Sequence, residues 1–295
     1  MKRILLFVAT NFAIMIALSI VLSVLGFTGY VKGGGLDYAG LLVFSLVWGF
    51  GGALISLAMS RWMAKSAMGV QLVNGQTGHA DLDWLYQTVE QQTRKVGLPM
   101  PEVGIYDSPE VNAFATGPSR SRSLVAVSSG LLRSMQRDEV AGVLAHEITH
   151  VQNGDMVTMT LIQGVVNAFS IFLSRLIANV IRQLVDERLS ALAFMISTIV
   201  FQIAFSFLGM FIVAWFSRAR EFRADAGGAA IAGRGNMIAA LQRLQANKAL
   251  VDDSQPQLAT MKINGGKGFM SLIQTHPPLE VRIAALQQEP VALKP

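Results

Sequence analysis

The chain has 295 residues, of which 52% are hydrophobic and 15% charged, and its formal net charge is +5. A mean hydropathy of +0.45 is too high for an ordinary soluble domain. The pI of about 9.7 comes without a basic stripe interleaved with aromatic residues, so the sequence gives no indication of nucleic-acid binding.

Long apolar segments account for the high hydropathy. A helix needs about 20 apolar residues to span a bilayer, and four segments reach that length: 4–26, 38–60, 156–181 and 189–216. We therefore predict four membrane spans. Arg175, in the third, is expected to extend toward the outer interface.

Basic residues predict the orientation of these spans. They precede the first span and follow the second and the fourth, at Lys2, Arg3, Arg61, Lys65, Arg218, Arg220 and Arg223. Because Lys and Arg concentrate on the cytoplasmic side, both termini and the central segment should be cytoplasmic. The chain has no cysteine, which fits a reducing compartment.

The central segment predicts a small α+β domain. A helix is expected over 82–95, and strands over 103–106, 112–116 and 124–128. Gly117-Pro118-Ser119 has turn chemistry, and Ser134 is a plausible N-cap for the next helix. The last segment reads as helical, with a glycine-rich loop at 265–268.

The pair His146 and His150 on that next helix indicates a metal site. Residues four apart share a helix face, so the two imidazoles can bind one zinc ion. Glu147 can then act as a base toward the attacking water. The alternative, two unrelated histidines on a surface helix, does not fit their apolar neighbours Val140, Val143, Leu144, Ala145 and Ile148.

Glu221 and Asp225 offer the missing third ligand. They too lie four apart, so one carboxylate can bind the metal while the other accepts a hydrogen bond from a ligand histidine. Taken alone, they would read as a solvated charged helix. Two predicted spans separate them from His150, and this even number leaves both sets of residues on one side of the membrane.

Polar residues also recur at helical spacing within spans three and four, at Gln163, Asn167, Ser170 and Ser174 and at Thr198, Gln202 and Ser206. Hydrogen bonding between packed helices explains such rows. A wet groove through which a substrate reaches the metal would explain them as well. The sequence leaves both alternatives open.

Several motifs together resemble those of the HtpX-type zinc metalloproteases of bacterial inner membranes, a family related to the CAAX prenyl endoproteases. They are His146-Glu147-Ile148-Thr149-His150, Asn153-Gly154-Asp155, Glu221-Phe222-Arg223-Ala224-Asp225, Asn112-Ala113-Phe114-Ala115-Thr116-Gly117 and Thr275-His276-Pro277-Pro278. The resemblance covers nearly the whole chain. One departure is the short loop between spans three and four, residues 182–190.

The resemblance implies a set of roles around one zinc ion per chain. His146, His150 and Glu221 would be its ligands, Glu147 the base and Asp225 the support of a ligand histidine. Asn112, His276 and Arg282 would lie near the substrate. We expect His276 or Arg282 to stabilise the oxyanion, and the strand with Asn112, Ala113 and Phe114 to pair with an extended substrate. Without the resemblance, His276 and Arg282 would read as surface residues.

The expected protein is mostly α-helical and integral to the membrane, with four transmembrane helices and a cytoplasmic zincin-like α+β metalloprotease domain bearing a small β-sheet. Residues 1–60 would hold two spans and a short outer loop, 61–155 the zinc-binding helix and strands, 156–216 two more spans, and 217–295 the part that supplies the third ligand.

The resemblance implies an endopeptidase that clears misfolded or damaged membrane proteins from the cytoplasmic side of the bacterial inner membrane. Its partners would be unfolded substrates and the lipid bilayer, with no nucleic acid. Two rival functions remain: a membrane scaffold with a structural zinc, and a chaperone that only holds unfolded clients. Structural zinc sites usually have four ligands and are rich in cysteine, which this chain lacks.

Overall fold

A computed structural model describes residues 2–24, 29–32, 35–254 and 274–288. In chain order the elements are α1 (Lys2–Val24), β1 (Val31–Lys32), β2 (Gly35–Leu36), α2 (Tyr38–Met68), β3 (Gln71–Val73), α3 (Ala80–Lys95), β4 (Glu102–Tyr106), β5 (Ala113–Ser119), β6 (Arg122–Ser128), α4 (Ser129–Ser134), α5 (Arg137–Asn153), α6 (Asp155–Gln183), α7 (Glu187–Ala232), α8 (Arg234–Ser254) and α9 (Leu279–Gln288). They form two compact units, one of Met1–Leu57 and Thr158–Val213, the other of Ala58–Val157 and Ala214–Pro295.

The first unit contains the apolar helices. Three helices are long and apolar enough to cross a membrane: α2, α6 and α7. They correspond to the second, third and fourth predicted spans. Residues 13–24 of α1 form a shorter apolar stretch, so the first span stays a prediction. The α6–α7 connection is even shorter than expected, since only residues 184–186 separate the two helices.

Close packing and interhelical hydrogen bonds hold this unit together. A Cβ added to Gly49 of α2 would lie 2.5 Å from the backbone nitrogen of Ala168 of α6, the small-residue contact that lets membrane helices approach. The polar rows of α6 and α7 meet where Ser174 Oγ and Arg175 Nη1 each donate to Gln202 Oε1 at 3.2 Å. These bonds are those expected of the packing alternative.

Arg175 turns toward aromatic rings as well. Its guanidinium carbon lies 5.1 Å from the centroid of the Phe44 ring and 5.9 Å from that of Tyr30. Cation–π contacts of this kind stabilise a charge where water is scarce. The side chain is therefore engaged within this unit by neighbouring aromatic and amide groups.

The second unit is built on a four-stranded sheet of order β3-β4-β6-β5. Strands β4 and β6 are parallel, with Val103 opposite Val125, and the outer strands are antiparallel to their neighbours. Strand β6 is central and almost entirely buried, as its run of apolar residues predicts. Strand β5 is an edge strand, so one side of its backbone is not paired within the sheet.

Helices α3 and α5 cover one face of this sheet. Their shared core includes Leu85, Val89, Leu144 and Ile148, which pack with valines of β4 and β6. On the sheet's other face a second cluster joins β4 and β6 to the end of α2. A third cluster joins α7, α8 and α9. The metal-binding motif thus lies on a helix with one face fixed in a core.

Two local predictions were wrong. Gly117-Pro118-Ser119 is the end of β5 and not the turn, which falls at residues 120–121, since Ser119 pairs with Arg122. Gly117 has φ +147°, and a Cβ there would lie 2.2 Å from the carbonyl oxygen of Arg122. The glycine therefore serves a bulge where the two strands approach closely.

The second wrong prediction is the N-cap at Ser134. That residue ends α4, and Met135 is extended, so α5 begins at Arg137 with Gln136 as its N-cap. The Gln136 N–H donates to Glu139 Oε2 at 2.7 Å, which is half of a capping box. The loop predicted at 265–268 lies outside the described residues.

Candidate metal centre

Three segments of the second unit supply the residues of the candidate site. Helix α5 carries His146, Glu147 and His150, and the last part of α7 carries Glu221 and Asp225. The stretch around α9 adds a further histidine and arginine. Each segment belongs to a packed cluster, so the backbones that present these side chains are held by burial.

His146, His150 and Glu221 converge on one point. The two Nε2 atoms lie 3.1 Å apart, and each lies 3.5 Å from an oxygen of Glu221. A tetrahedral zinc ion with bonds of about 2.0–2.2 Å holds its ligand atoms about 3.3–3.6 Å apart. The two separations of 3.5 Å match that requirement, and the 3.1 Å between the two Nε2 atoms is slightly shorter. All three side chains are buried.

The environment of Glu221 indicates that a cation binds at this place. Its side chain is 1% exposed, yet among the described residues neither carboxylate oxygen receives a hydrogen bond of acceptable geometry. Its nearest positively charged or imidazole groups are His276 Nδ1 at 3.0 Å and Arg282 Nη1 at 3.4 Å from Oε2. A buried carboxylate without well-formed hydrogen bonds is costly, and a bound divalent cation would satisfy it.

A separate carboxylate holds the far nitrogen of each histidine. Asp225 Oδ1 lies 2.9 Å from His146 Nδ1, and Asp155 Oδ2 lies 2.6 Å from His150 Nδ1. A carboxylate at Nδ1 selects the tautomer that carries its proton there, so the Nε2 lone pair is free for a metal. The role predicted for Asp225 is thus geometrically available.

Asp155 is a site residue that our sequence reasoning missed. It belongs to Asn153-Gly154-Asp155, a motif that contributes to the family resemblance and interrupts the helix, but to which we assigned no role at the metal. Gly154 has φ +69°, the left-handed conformation that ends a helix. The sequence did contain a signal for this role, namely the aspartate directly after the glycine. A glycine that ends a helix in this conformation can direct the next side chain back toward the last turn of that helix.

The same carboxylates raise the basicity of the histidines. Burial alone would lower the pKa of His150, but Asp155 and Glu221 outweigh burial and raise this pKa from 6.5 to about 9. Burial likewise opposes the shift at His146, where Asp225 and Glu221 raise the pKa. Electron-rich imidazoles of this kind are strong ligands for a divalent cation.

Arg282 and His276 occupy very different environments. Arg282 is buried, and its Nη2 and Nε atoms donate to Asp225 at 2.6 and 2.7 Å. Burial lowers the pKa of this guanidinium, but Asp225 more than compensates and raises it. The side chain of His276 is 61% exposed. Arg282 is therefore fixed in a buried ion pair next to the triad, while His276 contacts Glu221 from a solvent-exposed position.

Glu147 and the predicted substrate strand lie around the triad. Glu147 is half-buried, and its negative charge acts on His146, His150 and Arg282. Ala113 and Phe114 lie on edge strand β5, and Asn112 immediately precedes it. Ala113 packs against the core cluster to which α5 contributes, so edge strand β5 runs beside the helix that carries the histidines.

The sequence is similar to those of known proteins. The profile of peptidase family M48 matches residues 79–290. A protease HtpX from Tolumonas auensis is 52% identical over 298 residues, covering 98% of this chain and 99% of that protein. A protease HtpX from Aeromonas hydrophila is 52% identical, covering 97% of this chain and 100% of that protein. A protease HtpX homolog from Methylacidiphilum infernorum is 48% identical, covering 98% and 99%.

The fold has a solved counterpart in the crystal structure of S. mikatae Ste24p. The two structures align with a TM-score of 0.63 at 21% sequence identity, over 97% of this chain and 66% of that one. The family profile covers more than two thirds of the sequence, and the HtpX relatives match it almost end to end. The chain therefore belongs to peptidase family M48 and is a membrane-associated metalloprotease.

Proposed function

We propose that this protein is a zinc endopeptidase that hydrolyses peptide bonds of misfolded or damaged membrane proteins on the cytoplasmic side of the bacterial inner membrane. The observation that carries the proposal is the convergence of His146, His150 and Glu221, with Glu147 on the turn between the two histidines. Two imidazoles, one carboxylate and an adjacent acid form the donor set of a hydrolytic zinc site.

The donor set favours zinc in a catalytic role over a structural one. Structural zinc sites are usually closed by four protein ligands, often cysteines, whereas catalytic sites keep a position for water or substrate. Among the described residues, the metal-binding group has three members. When bound, zinc would supply Lewis acidity there, polarising a carbonyl and acidifying a water molecule.

Glu147 performs the proton transfers in this mechanism. Its carboxylate takes the proton of the attacking water and later delivers it to the nitrogen of the leaving amine. Its position next to His146 brings it to the open side of the triad without making it a ligand. Asp225 holds His146 at Nδ1 throughout, so that ligand does not rotate away.

His276 and Arg282 support the negative charge that develops on the substrate oxygen. His276 is exposed to solvent, and its Nδ1 lies 3.0 Å from Glu221 Oε2, so its imidazole is close enough to the triad to donate a hydrogen bond to the substrate oxygen. Arg282 is tied to Asp225 and contributes its positive charge from behind. The direct contact is therefore assigned to His276.

Edge strand β5 provides a way to hold the substrate. An extended peptide can add to a free sheet edge through main-chain hydrogen bonds, and residues 112–114 lie at the start of that edge. Main-chain recognition demands little of the substrate sequence. It also requires the substrate to be locally unfolded, which matches a protease that acts on misfolded proteins.

The membrane location follows from the apolar helices and the distribution of basic residues. In our proposal α1 is the first of four spans, residues 61–155 and 217–295 are cytoplasmic, and both termini face the cytoplasm. Three membrane-length helices support a multi-pass protein in contact with the lipid bilayer. The basic pI then reflects membrane topology, with no nucleic-acid partner.

A reconstituted assay tests this function. The purified protein would be placed in vesicles with a reporter membrane protein, either in a stable form or in a destabilised variant. We expect cleavage of the destabilised reporter within segments on the protease side, loss of cleavage with a chelator and recovery with zinc. Equal cleavage of both reporters would contradict the selectivity for misfolded proteins, and no cleavage of either would contradict the peptidase assignment.

A further inference from the structure

Asp155 makes one of the shortest polar contacts in the site. Its Oδ2 lies 2.6 Å from His150 Nδ1, and the residue is 2% exposed. The opposite ring nitrogen of the same histidine, Nε2, lies 3.5 Å from Glu221 Oε1. Asp155 thus contacts the imidazole at Nδ1, while Nε2 faces the point where His146, His150 and Glu221 converge.

A left-handed glycine makes this contact possible. Helix α5 ends at Asn153, and Gly154 at φ +69° redirects the chain so that Asp155 begins α6. A Cβ on Gly154 would meet no atom of the described residues within 4 Å, so we attribute the glycine to its backbone conformation and not to space. The turn returns Asp155 to the last turn of α5, beside His150.

The two supporting carboxylates differ in how their charge is used. Asp225 faces His146 but also accepts two hydrogen bonds from the buried guanidinium of Arg282. The corresponding cation for Asp155 is Arg223, whose Nη2 lies 3.9 Å away on a side chain that is 64% exposed. Solvent screens so distant and exposed a charge, so the negative charge of Asp155 acts mainly on His150.

From this geometry we infer that Asp155 is the positioning residue of His150: it fixes the imidazole's orientation and tautomer and thereby sets the zinc affinity of the site. The inference rests on the proposed zinc site, and it assigns separate supports to the two histidines. Removing such a partner typically weakens metal binding by about 10- to 100-fold.

Zinc titration of the purified, metal-stripped protein tests the inference. Asp155→Asn keeps the shape of the side chain and removes its charge, so the zinc dissociation constant should rise by about 10- to 100-fold. Asp138→Asn is the matched control, because Asp138 is an exposed aspartate in the first turn of α5. Its zinc affinity should equal that of the unsubstituted protein.

Two further measurements separate positioning from general damage. Saturating zinc should restore full occupancy of Asp155→Asn, whereas a misfolded site would stay empty at any zinc concentration. The visible spectrum of the cobalt-substituted variant should differ from that of the control, since one ligand is no longer held. Asp155→Glu keeps the charge but moves it by one methylene group, so its affinity should lie between those of the unsubstituted protein and Asp155→Asn.

The outcomes distinguish this inference from the proposed function. If the unsubstituted protein bound no zinc, the zinc-site proposal itself would fail. If that protein bound one zinc ion and Asp155→Asn bound it equally tightly, only the role of Asp155 would be overturned. A variant that no zinc concentration fills would likewise overturn positioning in favour of a purely structural role.

Discussion

Replacing Gly227 by alanine should disturb the metal centre without touching a ligand. Gly227 lies on α7 between the carboxylates and the end of the helix, and it packs against Thr149 of α5. A Cβ at Gly227 would lie 2.3 Å from Thr149 Cγ2 and 2.7 Å from Thr149 Oγ1. Thr149 cannot easily yield, since it is buried and its hydroxyl donates to the carbonyl of Ala145 at 2.8 Å.

The size of the effect follows from these distances. Ordinary contact begins near 3.4 Å, so α5 and α7 must separate by about 1 Å to relieve the clash. Metal sites tolerate displacements of only about 0.2 Å, and overpacking costs about 1–3 kcal/mol. Because the zinc-bound arrangement requires the close approach of α5 and α7, this cost opposes zinc binding. Zinc affinity should therefore fall by about 5- to 150-fold, since 1.4 kcal/mol corresponds to tenfold.

Zinc titration against a competing chelator would measure this change. The matched control is Gly235→Ala on α8, where the new Cβ would meet nothing within 4 Å in the part of the chain that the structure describes. The zinc affinity of this control should be unchanged. Adding Thr149→Ala to Gly227→Ala removes both clashing atoms and should restore most of the affinity. Unchanged zinc binding in Gly227→Ala would refute the view that this helix contact sets the site's geometry.

Three further predictions concern chemistry, pH and topology. His276→Ala should keep its zinc and lose about 100- to 1000-fold in kcat; steady-state kinetics with an unchanged kcat would remove His276 from the mechanism. Because the pKa of metal-free His150 is raised from 6.5 to about 9, protons compete with the metal below that pH, so zinc affinity should keep rising between pH 7 and 9. An affinity that is flat over that range contradicts the shift. The chain has no native cysteine, so Val185→Cys should react with an impermeant thiol reagent outside intact cells and Ser119→Cys only after lysis; external labelling of the latter would reverse the topology.

Local periodicity explains what the sequence could predict about the site. The spacing of His146 and His150 is set by one helix, so their common face is available from the sequence alone. Glu221 could be predicted from the coordination chemistry of zinc, because an ion bound by two imidazoles needs another protein ligand. The three long apolar helices could also be predicted from the sequence, since a helix needs a minimum length of apolar residues to span a bilayer.

Tertiary geometry explains what the sequence could not predict. Arg282 forms an ion pair with Asp225, which lies 57 residues earlier in the sequence. The residues around Arg282 have no sequence pattern from which its burial could be predicted. The contact of Asp155 with His150 depends on the conformation of Gly154. The turn predicted at 117–119 was wrong for a related reason. Gly117 is required by the close approach of the neighbouring strand β6, and the chain reverses only at residues 120–121.

Metal content and proteolysis measured together on Glu147→Gln test the central claim most directly. Glu147 is assigned as the base and not as a ligand, so the variant should retain one zinc ion per chain after purification. Its cleavage of an unfolded substrate should fall by about 100- to 10,000-fold, the contribution of general acid–base catalysis. A variant that lacks zinc, or one that cleaves as fast as the unsubstituted protein, would contradict the account.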